Sequence, residues 1–202
     1  MKIGISGAVG IGKTWFVEEL NNSIFLRIEE AARKVNAMYP DKSMEELREL
    51  IFHHQISVEE VVDKFTEDIV AVCDRTVIDN LVFIELFADK EFVKEKKAFV
   101  KSAYLNDLRK YDALYYLDYG IKTDPQLLKR TLSDDFRKKT LGQFADLGCF
   151  FDFNRKFKDI FLRKAEELGI TVEAIETDYD VFSLNNRNQM LQEKIINNFL
   201  GV

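Results

Sequence analysis

The chain has 202 residues, 47% hydrophobic and 32% charged, and its 29 basic against 35 acidic side chains give a net charge of −6. This length suits one domain, residues 1–202, or one core with a small lid, and the acidic balance speaks against a large nucleic-acid footprint, although a local basic groove survives it. No apolar run approaches membrane-spanning length and the first residues lead straight into a strand pattern, so neither a membrane anchor nor a signal peptide is expected.

Cys73 and Cys149 are too few and too far apart for a disulfide framework or metal site. They are expected as buried reduced thiols, which fits a cytoplasmic location.

In chain order, Ile3–Ser6 reads as a strand, followed by Gly7-Ala8-Val9-Gly10-Ile11-Gly12-Lys13-Thr14 and then a helix over Thr14–Asn21. This is the G-x-x-x-x-G-K-[ST] phosphate-binding loop in its strand–loop–helix setting. Glycines let successive N–H groups point inward around a polyphosphate, and the helix N-terminus adds partial positive charge. Lys13 reaches the β- and γ-phosphates, the Thr14 hydroxyl ligates Mg²⁺, and Trp15 closes the run of loop contacts. ATP and Mg²⁺ are therefore the expected cofactors.

A second strand is read at Ile24–Ile28, then helices at Glu29–Met38, Ser43–Phe52 and Ser57–Glu67, the last two opened by Ser-x-x-Glu capping boxes. A third strand follows at Ile69–Cys73, the alternative being one helix through Ser57–Cys73 with the strand displaced to Thr76–Asp79. A helix is read over Asn80–Leu108, strands at Ala113–Asp118 and Thr171–Glu176, and helices at Phe153–Leu168 and Arg187–Phe199. Strands alternating with helices imply an α/β fold: a five-stranded parallel sheet flanked by helices. In such a sheet ligands bind beyond the carboxyl ends of the strands, where Glu29, Glu30, Arg33, Asp74, Arg75, Asp79, Asp118 and Asp178 fall.

The segment 122–155 carries Lys129, Arg130, Arg137, Lys138 and Lys139 among acids. Arg130 and Arg137 are two helical turns apart, so they can share a face. The reading is either a solvated face or a lid whose cations close over phosphates. Phe144, Phe150, Phe151, Phe153, Phe157 and Phe161 are read as packing residues, as are His53 and His54. The guanine-reading Asn-Lys-x-Asp motif is absent, which favours ATP over GTP. An Asp-Glu strand end of the motor ATPases is also absent.

Three segments in order, Gly7–Thr14, Arg27-Ile28-Glu29-Glu30-Ala31-Ala32-Arg33 and Cys73-Asp74-Arg75-Thr76-Val77-Ile78-Asp79-Asn80, resemble the small P-loop kinases of the nucleoside/nucleotide type. The likeness runs in particular to the AAA-like ATPase/kinase domains grouped with nicotinamide riboside kinase. It implies Glu30 as general base, Asp74 near Mg²⁺, and Arg75, with Arg33 and Asp79, on the acceptor. It also implies a lid over about 122–155 whose Arg137 acts in transfer and whose Arg130 contacts the nucleotide.

The expected activity is ATP-dependent phosphoryl transfer to a hydroxyl or phosphate of a nucleoside, nucleotide or related small metabolite. One alternative is a P-loop kinase acting on nucleic acid, at a 5′-hydroxyl end or a hydroxymethylated base, for which the lid and Lys90, Lys94, Lys96, Lys97 and Lys101 would have to serve. The other is a nucleotide-dependent switch NTPase without an acceptor. Oligomeric state is open.

Overall fold

Five short, mostly apolar runs become the strands β1 (Lys2–Gly7), β2 (Phe25–Ile28), β3 (Val70–Asp74), β4 (Ala113–Thr123) and β5 (Glu173–Tyr179). In the computed structural model, which describes residues 1–20, 23–65, 69–88, 90–105, 111–133, 135, 138, 141–142 and 146–199, they form one parallel sheet in the order β2-β3-β1-β4-β5. Strand β1 lies at its centre, with Gly4 opposite Cys73 on one side and Leu114 on the other. All residues of β1 and β3 are buried, as strands covered on both faces require.

The flanking helices are α1 (Lys13–Glu19), α2 (Ala31–Met38), α3 (Met44–Phe65), α4 (Val77–Phe87), α5 (Lys90–Leu105), α6 (Pro125–Leu132), α7 (Leu147–Glu167) and α8 (Val181–Phe199). The main core joins both sheet faces to α1, α4, α7 and α8, and a smaller cluster of Ala31, Val35, Leu47 and Ile51 binds α2 to α3. Phe150, Phe153, Phe157 and Phe161 of α7 are all buried, each contributing about 1.5–3 kcal/mol, whereas Phe151 is partly exposed. Phe144 lies outside the described residues. No described helix is long and apolar enough to cross a membrane.

Several boundaries differ from the sequence reading. The third strand is Val70–Asp74 and is not displaced to Thr76–Asp79. The two helices expected over Ser43–Phe52 and Ser57–Glu67 are one, α3. The first capping box forms, with Ser43 and Glu46 bonded reciprocally. The second, Ser57 to Glu60, opens no helix, because it lies inside the unbroken α3. Glu59 beside it is turned into the core. There it accepts from Tyr111 Oη at 2.6 Å, Gln55 Nε2 at 2.9 Å and Val77 N at 3.2 Å, with Lys2 Nζ at 3.6 Å.

The helix expected over Asn80–Leu108 is two, broken where Ala88 adopts extended angles. Its start moves to Val77 because Thr76 and Asp79 make the capping box there. Helices α7 and α8 also begin earlier, after the caps Asp146 and Asp180. Strands β4 and β5 run on past Asp118 and Asp178. Those carboxylates bind Lys158 Nζ (2.7 Å) and Lys122 N (2.9 Å) instead of standing at strand ends. Cys73 is buried, but Cys149 is exposed at the start of α7, against expectation.

Glu59→Ala is expected to lower the unfolding free energy by about 2 kcal/mol, since it takes a shared carboxylate from Tyr111, Gln55 and Val77, while Lys2 keeps its closer partner Asp63 at 2.8 Å. Urea denaturation reads this directly, and a loss under about 1 kcal/mol would show that the network carries little stability.

Candidate active site

Strand β1 ends at Gly7, where φ is 138° and Leu117 O would lie 2.0 Å from any Cβ. Only glycine fits so close to the neighbouring strand. Gly10 and Gly12 also hold positive φ, 82° and 84°, and the chain then enters α1. Gly12 is the N-cap of α1 and supplies no side-chain cap, so the first N–H groups of the helix are left to a ligand.

Every carbonyl from Gly7 to Gly12 is held by a donor. Lys13 Nζ donates to Gly7 O (3.0 Å) and Ala8 O (2.7 Å). Tyr119 Oη donates to Val9 O at 2.6 Å, and Tyr179 Oη to Gly10 O at 2.9 Å. Arg187 donates to Ile11 O at 2.7 Å and Gly12 O at 3.4 Å. Asn154 Oδ1 accepts from Val9 N at 2.8 Å. Turning its carbonyls toward the protein leaves the loop's concave side to an anion.

Lys13 is buried, and burial, followed by the Arg75 charge, lowers its ammonium to about 7, with Asp74, Asp79 and Glu30 pulling the other way. A triphosphate would add negative charge and raise it again. Between pH 7 and 9 the free protein therefore holds a largely neutral Lys13 and the complex a charged one, so binding takes up a proton. The ATP dissociation constant is expected to weaken as pH rises above 7, by up to about tenfold per unit. Titration calorimetry in buffers of different ionisation heat measures both effects; a constant affinity from pH 7 to 9 with no proton uptake would contradict them.

The Thr14 hydroxyl donates to Asp74 Oδ2 at 2.5 Å, and Asp74 Oδ1 is buried with no hydrogen-bond partner among the described residues. Burial first, then the Glu30 charge, raises the Asp74 carboxyl to about 6, against the Thr14 bond and Lys13. An orphaned carboxylate oxygen beside a hydroxyl is the hard-oxygen donor set that Mg²⁺ takes, so the pair fits that cation.

Arg75 follows directly, with φ 73°, a left-handed geometry uncommon for a non-glycine residue. The turn brings its guanidinium into the site: Nε donates to Glu30 Oε1 at 2.7 Å and Nη1 to Asp79 Oδ1 at 2.9 Å. Burial works against the Arg75 charge, but Glu30 and Asp79 outweigh it and raise its pKa further. Burial likewise pushes the Glu30 carboxyl up; Arg75 and Lys13 more than offset this, and it stays below the ordinary carboxylate range. Asp79 is fully buried and also accepts from Ser6 Oγ at 2.7 Å and from Thr76. It links β1 to α4 as well as holding Arg75.

A cavity of about 290 Å³ opens over these groups, lined by Val9, Gly10, Gly12, Lys13, Thr14, Trp15, Glu30, Arg33 and Arg75 of the expected residues. Ala8 and Ile11 are buried behind it. Asp74 borders a second groove, shared with Thr14, Glu30 and Arg33. Arg130 is exposed on α6 and does not line the cavity, where Leu127 and Thr131 of the same helix do. Arg137 lies outside the described residues.

Reading the sequence missed Tyr119, Asn154, Tyr179 and Arg187, which hold the loop from β4, α7, β5 and α8. Their only sequence signal is position, since each is 100 or more residues away from the loop it holds.

By sequence, no family description and no curated protein matches the chain. Solved structures do. Deoxyadenosine kinase from M. mycoides with bound dATP is similar with a TM-score of 0.63 at 13% identity over 96% of this chain and 98% of that one. Thymidylate kinase from Candida albicans gives 0.59 at 15% identity, over 98% and 91%. NadR protein in complex with NR gives 0.66 at 15% identity, over 97% of this chain and half of that one. The chain thus has the P-loop nucleoside and nucleotide kinase fold.

Proposed function

We propose that the chain is an ATP-dependent kinase that moves the γ-phosphoryl group to a hydroxyl or phosphate of a nucleoside, nucleotide or related small metabolite. The observation that carries this reading is the convergence, on one cavity, of the phosphate loop with Lys13, the Thr14–Asp74 pair and the Glu30–Arg75 pair. Kinases of these acceptor classes among the similar structures support it.

Lys13 holds the β- and γ-phosphates against the loop N–H groups and balances charge that moves toward the leaving oxygen. Thr14 and Asp74 would hold Mg²⁺, which when bound neutralises charge on the phosphate oxygens. Glu30 accepts a hydrogen bond from the acceptor hydroxyl and takes its proton. A carboxylate kept this acidic is a weak base, which suits a loose transition state in which the proton leaves late. Arg75 fixes the Glu30 carboxylate and presents its remaining N–H groups to the transferred phosphoryl. Within the segment 122–155, the stretch between β4 and α7 serves as the lid, with Arg137 as its acting cation.

ATP consumption with Mg²⁺ tests this against nucleosides, nucleoside monophosphates, nicotinamide riboside, 5′-hydroxyl oligonucleotides and DNA bearing hydroxymethyluracil. Stimulation by a small molecule supports the reading. Stimulation only by polymer would replace it with a nucleic-acid kinase, and tight ATP binding with no stimulation would replace it with a switch NTPase.

A further inference from the structure

Beside the cavity runs a row of four stacked groups, of which Arg75, Phe83 and Arg48 line it and Phe87 does not. The Arg75 guanidinium lies 5.3 Å from the Phe83 ring centre, Phe83 and Phe87 stack at 6.3 Å with planes 13° apart, and the Arg48 guanidinium lies 4.8 Å from the Phe87 centre. Arg75 marks the reacting end, beside Glu30. Arg48 marks the far end, on α3 with Met44 and Ile51. Arg75 and Arg33 are ion-paired to carboxylates, but no carboxylate among the described residues lies within ion-pair distance of Arg48, whose hydrogen bond to Phe87 O is a long 3.4 Å.

Asn80, on α4, lines the same cavity one turn before Phe83 and Ile84. It is 7% exposed, and its Nδ2 has no hydrogen-bond partner among the described residues. Beyond Arg75 the remaining lining on this side is apolar: Ala32, Met44, Ile51, Phe83 and Ile84. The cavity thus offers a guanidinium at its far end, which has donors and no acceptor, and an unspent amide N–H₂ on its α4 wall.

We infer that this cavity reads the acceptor molecule through hydrogen-bond-accepting oxygens, ring carbonyls or a carboxylate, with Arg48 at the far end as the specificity-determining residue and Asn80 on the α4 wall as a second donor. The inference rests on the reading of this cavity as the acceptor site. An acceptor that presents amino groups sets donor against donor at half-buried Arg48 and leaves the buried Asn80 N–H₂ unpaired, whereas paired oxygens satisfy the guanidinium fork. Phe83, backed by Phe87, supplies a flat apolar face for the ring between the two arginines.

Binding to the full chain, with Mg²⁺ and a non-hydrolysable ATP analogue, separates the cases by titration calorimetry. The probes are thymidine and uridine (ring carbonyls), nicotinate riboside (carboxylate), its amide counterpart, cytidine and adenosine. Oxygen-edged compounds are expected to bind at least about tenfold more tightly than amine-edged ones. Arg48→Met should abolish that ratio while melting within a few degrees of wild type. Arg48→Lys, which keeps the charge and loses the fork, should retain a preference for the carboxylate alone and so tells the two sources apart. Asn80→Asp, which exchanges a donor for an acceptor, should shift the ratio toward cytidine. Equal or tighter binding of the amine-edged compounds by wild type, a ratio unchanged in Arg48→Met, or binding of none of the probes would overturn the inference. A phosphoryl-transfer assay on the same compounds keeps the two readings apart: binding with the expected ratio but no product would sink the kinase proposal and leave the recognition rule standing.

Discussion

Lys13→Ala is expected to reduce phosphoryl transfer by about 100- to 1,000-fold, the scale for loss of one preorganised charge at a transferring group. The fold should survive. Lys13 makes its bonds to two loop carbonyls, Gly7 O and Ala8 O, and its burial is the chief cause of its lowered pKa, so its removal also removes a desolvated cation. Single-turnover transfer alongside thermal melting gives the answer. A variant that melts like wild type and turns over like it would mean that the loop does not cradle the reacting phosphates.

Glu30→Gln should leave ATP affinity within a few-fold and slow the chemical step by about 100- to 10,000-fold. Its neighbour supplies the control. Glu29 is 70% exposed, pairs with Lys34 at 3.2 Å and does not line the 290 Å³ cavity, while Glu30 is 11% exposed and bonded to Arg75. Glu29→Gln should therefore change little. If pre-steady-state kinetics place the loss in Glu29→Gln instead, the base has been assigned one residue too late.

The central part of the site was legible in the chain because its determinants are local. Gly7 to Thr14 specify their own backbone path, and Asp74-Arg75-Thr76 is fixed by a strand end and a capping box within six residues. What resisted reading was non-local. Ser57 and Glu60 carry the pattern of a helix start, yet α3 runs through them without a break, and Glu59 between them is drawn inward by Lys2, Gln55 and Tyr111. Asp118 and Asp178 read as strand ends because the apolar runs stop there, whereas β4 and β5 continue as a half-exposed pair whose hydrogen bonds do not depend on hydrophobic sequence. Arg130 was chosen for its charge, but Leu127 and Thr131 of the same helix are the residues that turn toward the cavity. The orphaned amide of Asn80 and the absence of a carboxylate beside Arg48 among the described residues are invisible in a sequence, because what distinguishes them is what they fail to touch.

The tethering of the loop carbonyls by Lys13, Tyr119, Tyr179 and Arg187 has a bearing on motion. A glycine-rich segment alone would sample many shapes, and a nucleotide would have to select one at a cost in affinity. Here the selecting has been done by side chains that arrive with β4, β5 and α8. The loop cannot loosen on its own without breaking bonds to β4, to the edge strand β5 and to α8, so its local opening is tied to the opening of those elements. Whatever conformational gating accompanies nucleotide entry must then be carried by parts of the molecule other than the cradle itself.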